Sequence, residues 1–184
     1  MALPNIPKLL KKFDGISSKA SSPTARSSIT YDVFNDYVMD ASITPVSVGE
    51  REHAMNHIDA VEEIIHPEQA LYIFDRGYPS EELIRRLADK SHYLMRVKKK
   101  FNKSIDSLPL GSHIITIYGD IRVRVYKFTL PSGEVEILIS NLFDLPEEEL
   151  QSIYFKKWRV EVKFANHAHT APLARSFSTT VTEK

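Results

Sequence analysis

Asp75 is the residue from which chemistry can be read in this chain. It follows four apolar residues, Leu71-Tyr72-Ile73-Phe74, and opens the turn Asp75-Arg76-Gly77-Tyr78-Pro79. A short β-prone run stopped by turn residues is a buried strand arriving at the edge of a sheet. It leaves one carboxylate where backbone order ends and solvent begins. A second stretch answers it near the C-terminus: Tyr154-Phe155-Lys156-Lys157-Trp158-Arg159-Val160-Glu161. Phosphodiester cleavage with two metal ions needs oxygen ligands gathered on rigid elements, and Mg²⁺ prefers carboxylates and water. Asp75 at a strand end and Glu161 on a packed helix meet that need, so both are candidate catalytic and metal-ligating residues. The 86 positions between them (161 − 75) do not oppose contact when a β-rich segment fills the interval. Taken alone, an acid at a strand end is more often a cap or an ion-pair partner.

The elements that must position these acids follow from the pattern. Residues 1–28 hold Pro4, Pro7, Gly15, Pro23 and many serines and read as poorly ordered, with one turn of helix over Lys8–Phe13. Ile29–Ile43 reads as two strands joined at Asn35-Asp36. Ala54, Ile58, Val61 and Ile65 form one stripe of a helix over Glu50–Ile65, stopped by His66-Pro67. Ser80 caps a second helix over Glu81–Asp89, and His92–Val97 is another strand. His113–Tyr118, Ile121–Leu130 and Val135–Leu142 read as three antiparallel strands, and a long helix begins at Leu145-Pro146. Residues 165–184 carry no regular apolar period and are expected to be a disordered tail. The expected organisation is a core over 29–100, an antiparallel β insertion over 101–144 and a C-terminal core helix over 145–164. The fold class is α/β, with parallel pairing in the core.

The totals exclude less than they permit. Lys+Arg and Asp+Glu are both 24, and apolar residues make up 42% of the 184, ordinary for a chain that buries a core. There is no Cys, which rules out disulfides and thiolate metal sites. No stretch has the length and apolarity to span a membrane or serve as a signal peptide, so a cytoplasmic location is expected. The distribution of charge is more telling than its sum. Asp32–Glu63 carries eight acidic residues and one basic, whereas Arg76–Leu130 carries twelve basic and five acidic. Such segments are as often solvated faces as a phosphate-binding surface beside an acidic one.

The two motifs, Phe74-Asp75-Arg76-Gly77-Tyr78 and Tyr154 to Glu161, resemble the DDE transposases of bacterial insertion sequences. In particular they resemble the large group whose last acid lies in Y-x-x-R-x-x-x-E-x-x-x-x-x-x-K. Tyr31-Asp32-Val33-Phe34-Asn35-Asp36 and Gly49-Glu50-Arg51-Glu52-His53-Ala54 look like the stretches between that family's first and second acids. The likeness covers about residues 4–164. It implies a ribonuclease-H-like mixed sheet with flanking helices and a β-rich insertion before the last helix. It also implies strand cleavage and transfer on double-stranded transposon ends, with two Mg²⁺ or Mn²⁺ ions in an intact member. Carried over, Asp75 matches the second D, Glu161 the E and Tyr154 the Y; Tyr154 and the residue at the arginine position contact DNA. Arg76, Gly77 and Tyr78 complete the strand-end motif as structural support.

Three departures bear on activity. Lys157 stands at the arginine position and lacks its bidentate fork. Ala168 stands where the family has its closing lysine. The first catalytic Asp and its strand, which precede a segment like Leu3-Pro4, are expected to be missing. The resemblance therefore implies a transposase fragment without activity, or else a non-catalytic DNA-binding or protein-interaction remnant that joins an intact transposase or a second copy. A replacement third ligand would come from Asp14, Asp32, Asp36 or Asp40. Lys98, Lys99, Lys100, Arg122 and Arg124 are candidate phosphate contacts, each equally readable as a solvated side chain. His53 and His57 share a helix face at metal-ligand spacing, without an evident third ligand.

Overall fold

The computed structural model describes residues 3–13, 23–167 and 175–182, with side chains described through Lys157. Eight strands form one sheet, in the order β2-β1-β8-β3-β4-β7-β6-β5. After a short helix α1 (Pro7–Lys12), the hairpin β1 (Ala25–Asp32) and β2 (Tyr37–Pro45) turns through residues 33–36, with Asp36 at φ 62°. The turn forms because the Asp32 carboxylate accepts from the Phe34 and Asn35 amides, both at 2.9 Å, and from the Asn35 side chain at 2.8 Å.

Helix α2 (Glu50–Glu62) and a 3-10 turn (Pro67–Gln69) lead to β3 (Ala70–Phe74), which pairs parallel with β4 (His92–Arg96) across α3 (Glu81–Ala88). The Ser80 hydroxyl caps α3 by accepting from Leu83 N at 3.2 Å. Beyond the short α4 (Lys103–Asp106), β5 (Gly111–Ile117), β6 (Ile121–Thr129) and β7 (Val135–Ser140) form an antiparallel meander. This meander is the antiparallel β insertion expected from the pattern, and because β7 pairs antiparallel with β4 it extends the core sheet. Helix α5 runs over Glu147–His167. The expected tail contains β8 (Arg175–Thr182), which lies between β1 and β3.

Strand alternation decides what meets at the site. Tyr72 and Phe74 pack with Ala54, Ile58, Leu83, Ile84 and Leu87 from α2 and α3. Leu71 and Ile73 pack on the other face, with Leu94, Leu138, Leu150 and Tyr154. Helices therefore cover both faces of β3, which is why it reads as a continuous apolar run. Residue 75 continues the series 71, 73 and is directed to the α5 face.

Helix α2 is fastened to the hairpin by two buried histidines, stacked at 6.1 Å. The His53 ring nitrogens meet Ser42 Oγ at 3.0 Å and Thr44 Oγ1 at 2.7 Å. Those of His57 meet Asp40 Oδ2 at 2.5 Å and Ser28 Oγ at 2.9 Å. These partners satisfy both rings as hydrogen-bonding groups and leave no metal-facing pair. Burial lowers the His53 pKa below 6.5, helped by His57 and Arg26 and opposed by Glu52 and Glu50. As pH falls through 6.5 toward that lower value, the unfolded chain gains a proton that the folded one refuses. Stability contributed above 6.5 is lost across that window and levels off below it. The urea midpoint is expected to fall between about pH 7.5 and about pH 5.5. His53→Gln is expected to flatten part of that slope.

Candidate active site

Asp75 is half-buried at the C-terminal end of β3. Its Oδ1 accepts from the Arg76 amide at 2.7 Å and from the Tyr154 hydroxyl at 3.3 Å, and Arg96 Nη1 lies 3.6 Å away. Its Oδ2 lies 3.7 Å from Lys157 Nζ, and the Lys157 side chain is 2% exposed. The two motifs therefore meet at this carboxylate. Tyr154 and Lys157 lie three apart on α5, so both point down one face onto the strand end. Burial pushes the Asp75 carboxyl up, but Lys157, the Arg76 amide, Arg96 and Tyr154 outweigh it and hold it below 3.8. Burial and the neighbouring Asp75 charge raise the Tyr154 phenol, which stays protonated and able to donate.

A second carboxylate completes the cluster, and neither motif pointed to it. Glu136 on β7 is 4% exposed. Its Oε1 accepts from Arg76 Nη2 at 2.7 Å and from Arg96 Nη2, and its Oε2 accepts from Arg96 Nε at 2.5 Å. Arg96 thus bridges Glu136 and Asp75. The signal in the sequence was a lone Glu on an otherwise apolar strand, Val135-Glu136-Ile137-Leu138-Ile139. Residues 136 and 138 share one face, the same face as Leu138 and the α5 contacts. A Cβ at Gly77 would come 3.0 Å from Glu50 Oε2, the free end of a side chain that can shift.

Among the described residues, no other expected position joins this cluster. Glu161 lies four residues after Lys157 on α5, and its side chain lies outside the described residues. So does the side chain of Trp158, and Ala168 and Asp14 lie outside the described residues altogether. Asp32 holds the hairpin turn, Asp40 holds His57, and Asp36 accepts from the Tyr31 hydroxyl, so the structure engages each of these in local architecture. Lys98, Lys99 and Lys100 are exposed. Lys98 and Lys99 border a groove of ≈ 550 Å³ together with Arg76, Val97, Glu134 and Ile137. Arg122 is exposed, with its guanidinium 4.8 Å above the Phe143 ring.

Arg124 is a correction. It is 7% exposed and donates to Ser112 Oγ at 2.7 Å, to the Leu142 and Phe143 carbonyls at 3.3 Å, and to the Leu145 carbonyl. It holds the loop that enters α5 and is not offered to DNA. Lys127, on the opposite face of β6, is likewise buried and donates to the Asp106 and Leu108 carbonyls at 3.0 and 2.6 Å, closing the end of α4.

A divalent cation is a poor fit to the described side chains. Both Asp75 oxygens face hydrogen-bond donors or cations, both Glu136 oxygens face arginines, and no three His, Asp or Glu converge among the described residues. A metal at Asp75 would have to displace the Lys157 ammonium.

A mixed α/β sheet with an acid at the end of a central strand, faced by the last described helix, is consistent with a ribonuclease-H-like fold. The description of the transposase DDE domain matches residues 7–171, and the chain belongs to that family. No curated protein and no solved structure matches the chain. The family works on DNA in transposition and in general uses divalent metals. No helix among the described residues is long and apolar enough to cross a membrane.

Proposed function

We propose that this chain is a DDE transposase domain that binds DNA at the Asp75 site without cutting it. The observation that carries this reading is the seating of Lys157 and Arg96 on opposite oxygens of Asp75. Two-metal strand transfer depends on where the carboxylates hold the ions. Cations seated on Asp75 oppose that, whereas they favour a phosphate oxygen taking the place of the carboxylate. Arg76, Lys98 and Lys99 along the adjoining groove extend the cationic surface that a duplex backbone would follow. The partner is double-stranded DNA at transposon ends. An intact transposase or a second copy is the protein partner in the remnant reading, in which this domain joins a transposase assembly and blocks it.

The test is Mn²⁺-dependent nicking of supercoiled DNA by the parent and by Asp75→Ala and Glu161→Ala, together with duplex affinity at graded salt. Expected are no nicking, salt-sensitive binding, and affinity raised about fivefold by Asp75→Asn, the effect of removing one unit charge a few ångströms from a phosphate in water. Nicking by the parent that both alanine variants lose would overturn the proposal and restore Asp75 and Glu161 as catalytic metal ligands.

A further inference from the structure

The sheet is continuous only because β8 is in it. β1 pairs with β8 from Ser27↔Arg175 to Asp32↔Thr180, in parallel. β3 pairs with β8 from Ala70↔Thr182 to Ile73↔Thr179, antiparallel. β1 and β3 are each other's next neighbours but one, with a gap one strand wide between them. We propose that this gap is a strand-acceptor site, and that its occupant is the chain's own C-terminal segment, held there as a displaceable strand.

Three observations support the assignment. First, the segment Arg175-Ser-Phe-Ser-Thr-Thr-Val-Thr182 has two apolar residues, Phe177 and Val181, where β3 is wholly apolar. Main-chain pairing joins it to both neighbours, the mode in which an extended peptide adds to a sheet edge. Second, its partners are distant in sequence, 148 positions at Ser27 (175 − 27) and 112 at Ala70 (182 − 70). Such pairing closes larger loops than β1–β2 or β3–β4 and carries a greater loop-closure entropy cost. Third, its departure would not unravel either half of the sheet. β1 keeps β2, and β3 keeps β4 and, through it, β7, β6 and β5. It would expose two unpaired backbone rows facing each other, a ready template for any extended strand.

The proposal is tested by amide hydrogen exchange on the full chain and on Ser178→Pro, in which the proline lacks the amide donor at the middle of β8. Expected is exchange roughly tenfold or more faster at residues 27–32 and 70–73 in the variant, with β6 and β7 unchanged. A synthetic peptide spanning residues 173–184, added in excess, is expected to restore protection at both strands. Unchanged protection in the variant would overturn the proposal. Should Ser178→Pro also release β6 and β7, the parent decides alone. Its amides at 27–32 and 70–73 are expected to open together and sooner than those of β6 and β7, and uniform exchange of all strands would overturn a displaceable strand. Protection in the parent that rises with protein concentration, alongside a sedimenting dimer, would assign the strand to a second copy and overturn the assignment to the same chain.

Discussion

Replacing Glu136 by alanine is expected to lower the unfolding free energy by about 3–5 kcal/mol, measured by urea denaturation at neutral pH. Glu136 is 4% exposed, and the side chain of Arg96 is 14% exposed. The alanine variant keeps a largely buried guanidinium and removes its closest counter-charge, leaving Asp75 at 3.6 Å as the carboxylate partner recorded for Arg96. Uncompensated buried charge is the costly outcome, more than the net worth of the original pair. Two further variants separate these effects. Glu136→Gln retains the shape and one acceptor and is expected to lose about 1–2 kcal/mol. The double variant Arg96→Met with Glu136→Leu, which removes both charges, is expected to be more stable than Glu136→Ala. A double variant as unstable as the sum of its singles would show that the pair does not act as a unit.

Arg124→Ala is expected to cost about 3 kcal/mol, because hydrogen bonds to a charged donor are each worth about 1.5–3 kcal/mol and several acceptors lose it together. The carbonyls of Leu142, Phe143 and Leu145 all sit in the loop immediately before α5. Loosening that loop is expected to shift the helix that carries Tyr154 and Lys157, so thermal unfolding should start earlier and DNA affinity should fall through the loss of structure. Arg122→Ala, two residues away and exposed, is expected to change stability by no more than about 0.5–1 kcal/mol, the scale of an exposed cation–π contact. Equal stability losses in the two variants would contradict this account of the β6 face.

The contrast between Arg122 and Arg124 marks where sequence reading runs out. Alternation of Arg, Val, Arg, Val along one strand reads as a basic solvent face, because period two distinguishes the faces of a strand but not what covers them. Here Lys127 and Arg124 meet carbonyl groups of α4 and of the loop before α5, and those partners come from tertiary placement. The strand run ending at Asp75, the caps, the hairpin at Asn35-Asp36 and the stripe of α2 were legible because each depends on neighbours close in sequence. That the stretch from Tyr154 should lie near Asp75 was suggested by pairing the two motifs, whereas the face on which they meet came from the structure. Glu136 did not, since a single acid in an apolar strand has no local signature of the arginines that will reach it. β8 was illegible for a different reason. A Ser/Thr-rich strand held by backbone on both sides has little apolar period to announce it.

Merging the meander into the core sheet has a consequence for the protein as a material. One continuous sheet has two ends, and here they are unlike strands, β2 and β5. Both bear outward apolar side chains, Tyr37, Val38 and Ile43 on β2 and Ile114 on β5. Pairing the β2 of one molecule with the β5 of the next is head-to-tail, and unless its rotation closes a ring it generates an open chain of copies. At high concentration the sheet would be continued from molecule to molecule, and the length of such a fibre would be set by supply of protein instead of by symmetry.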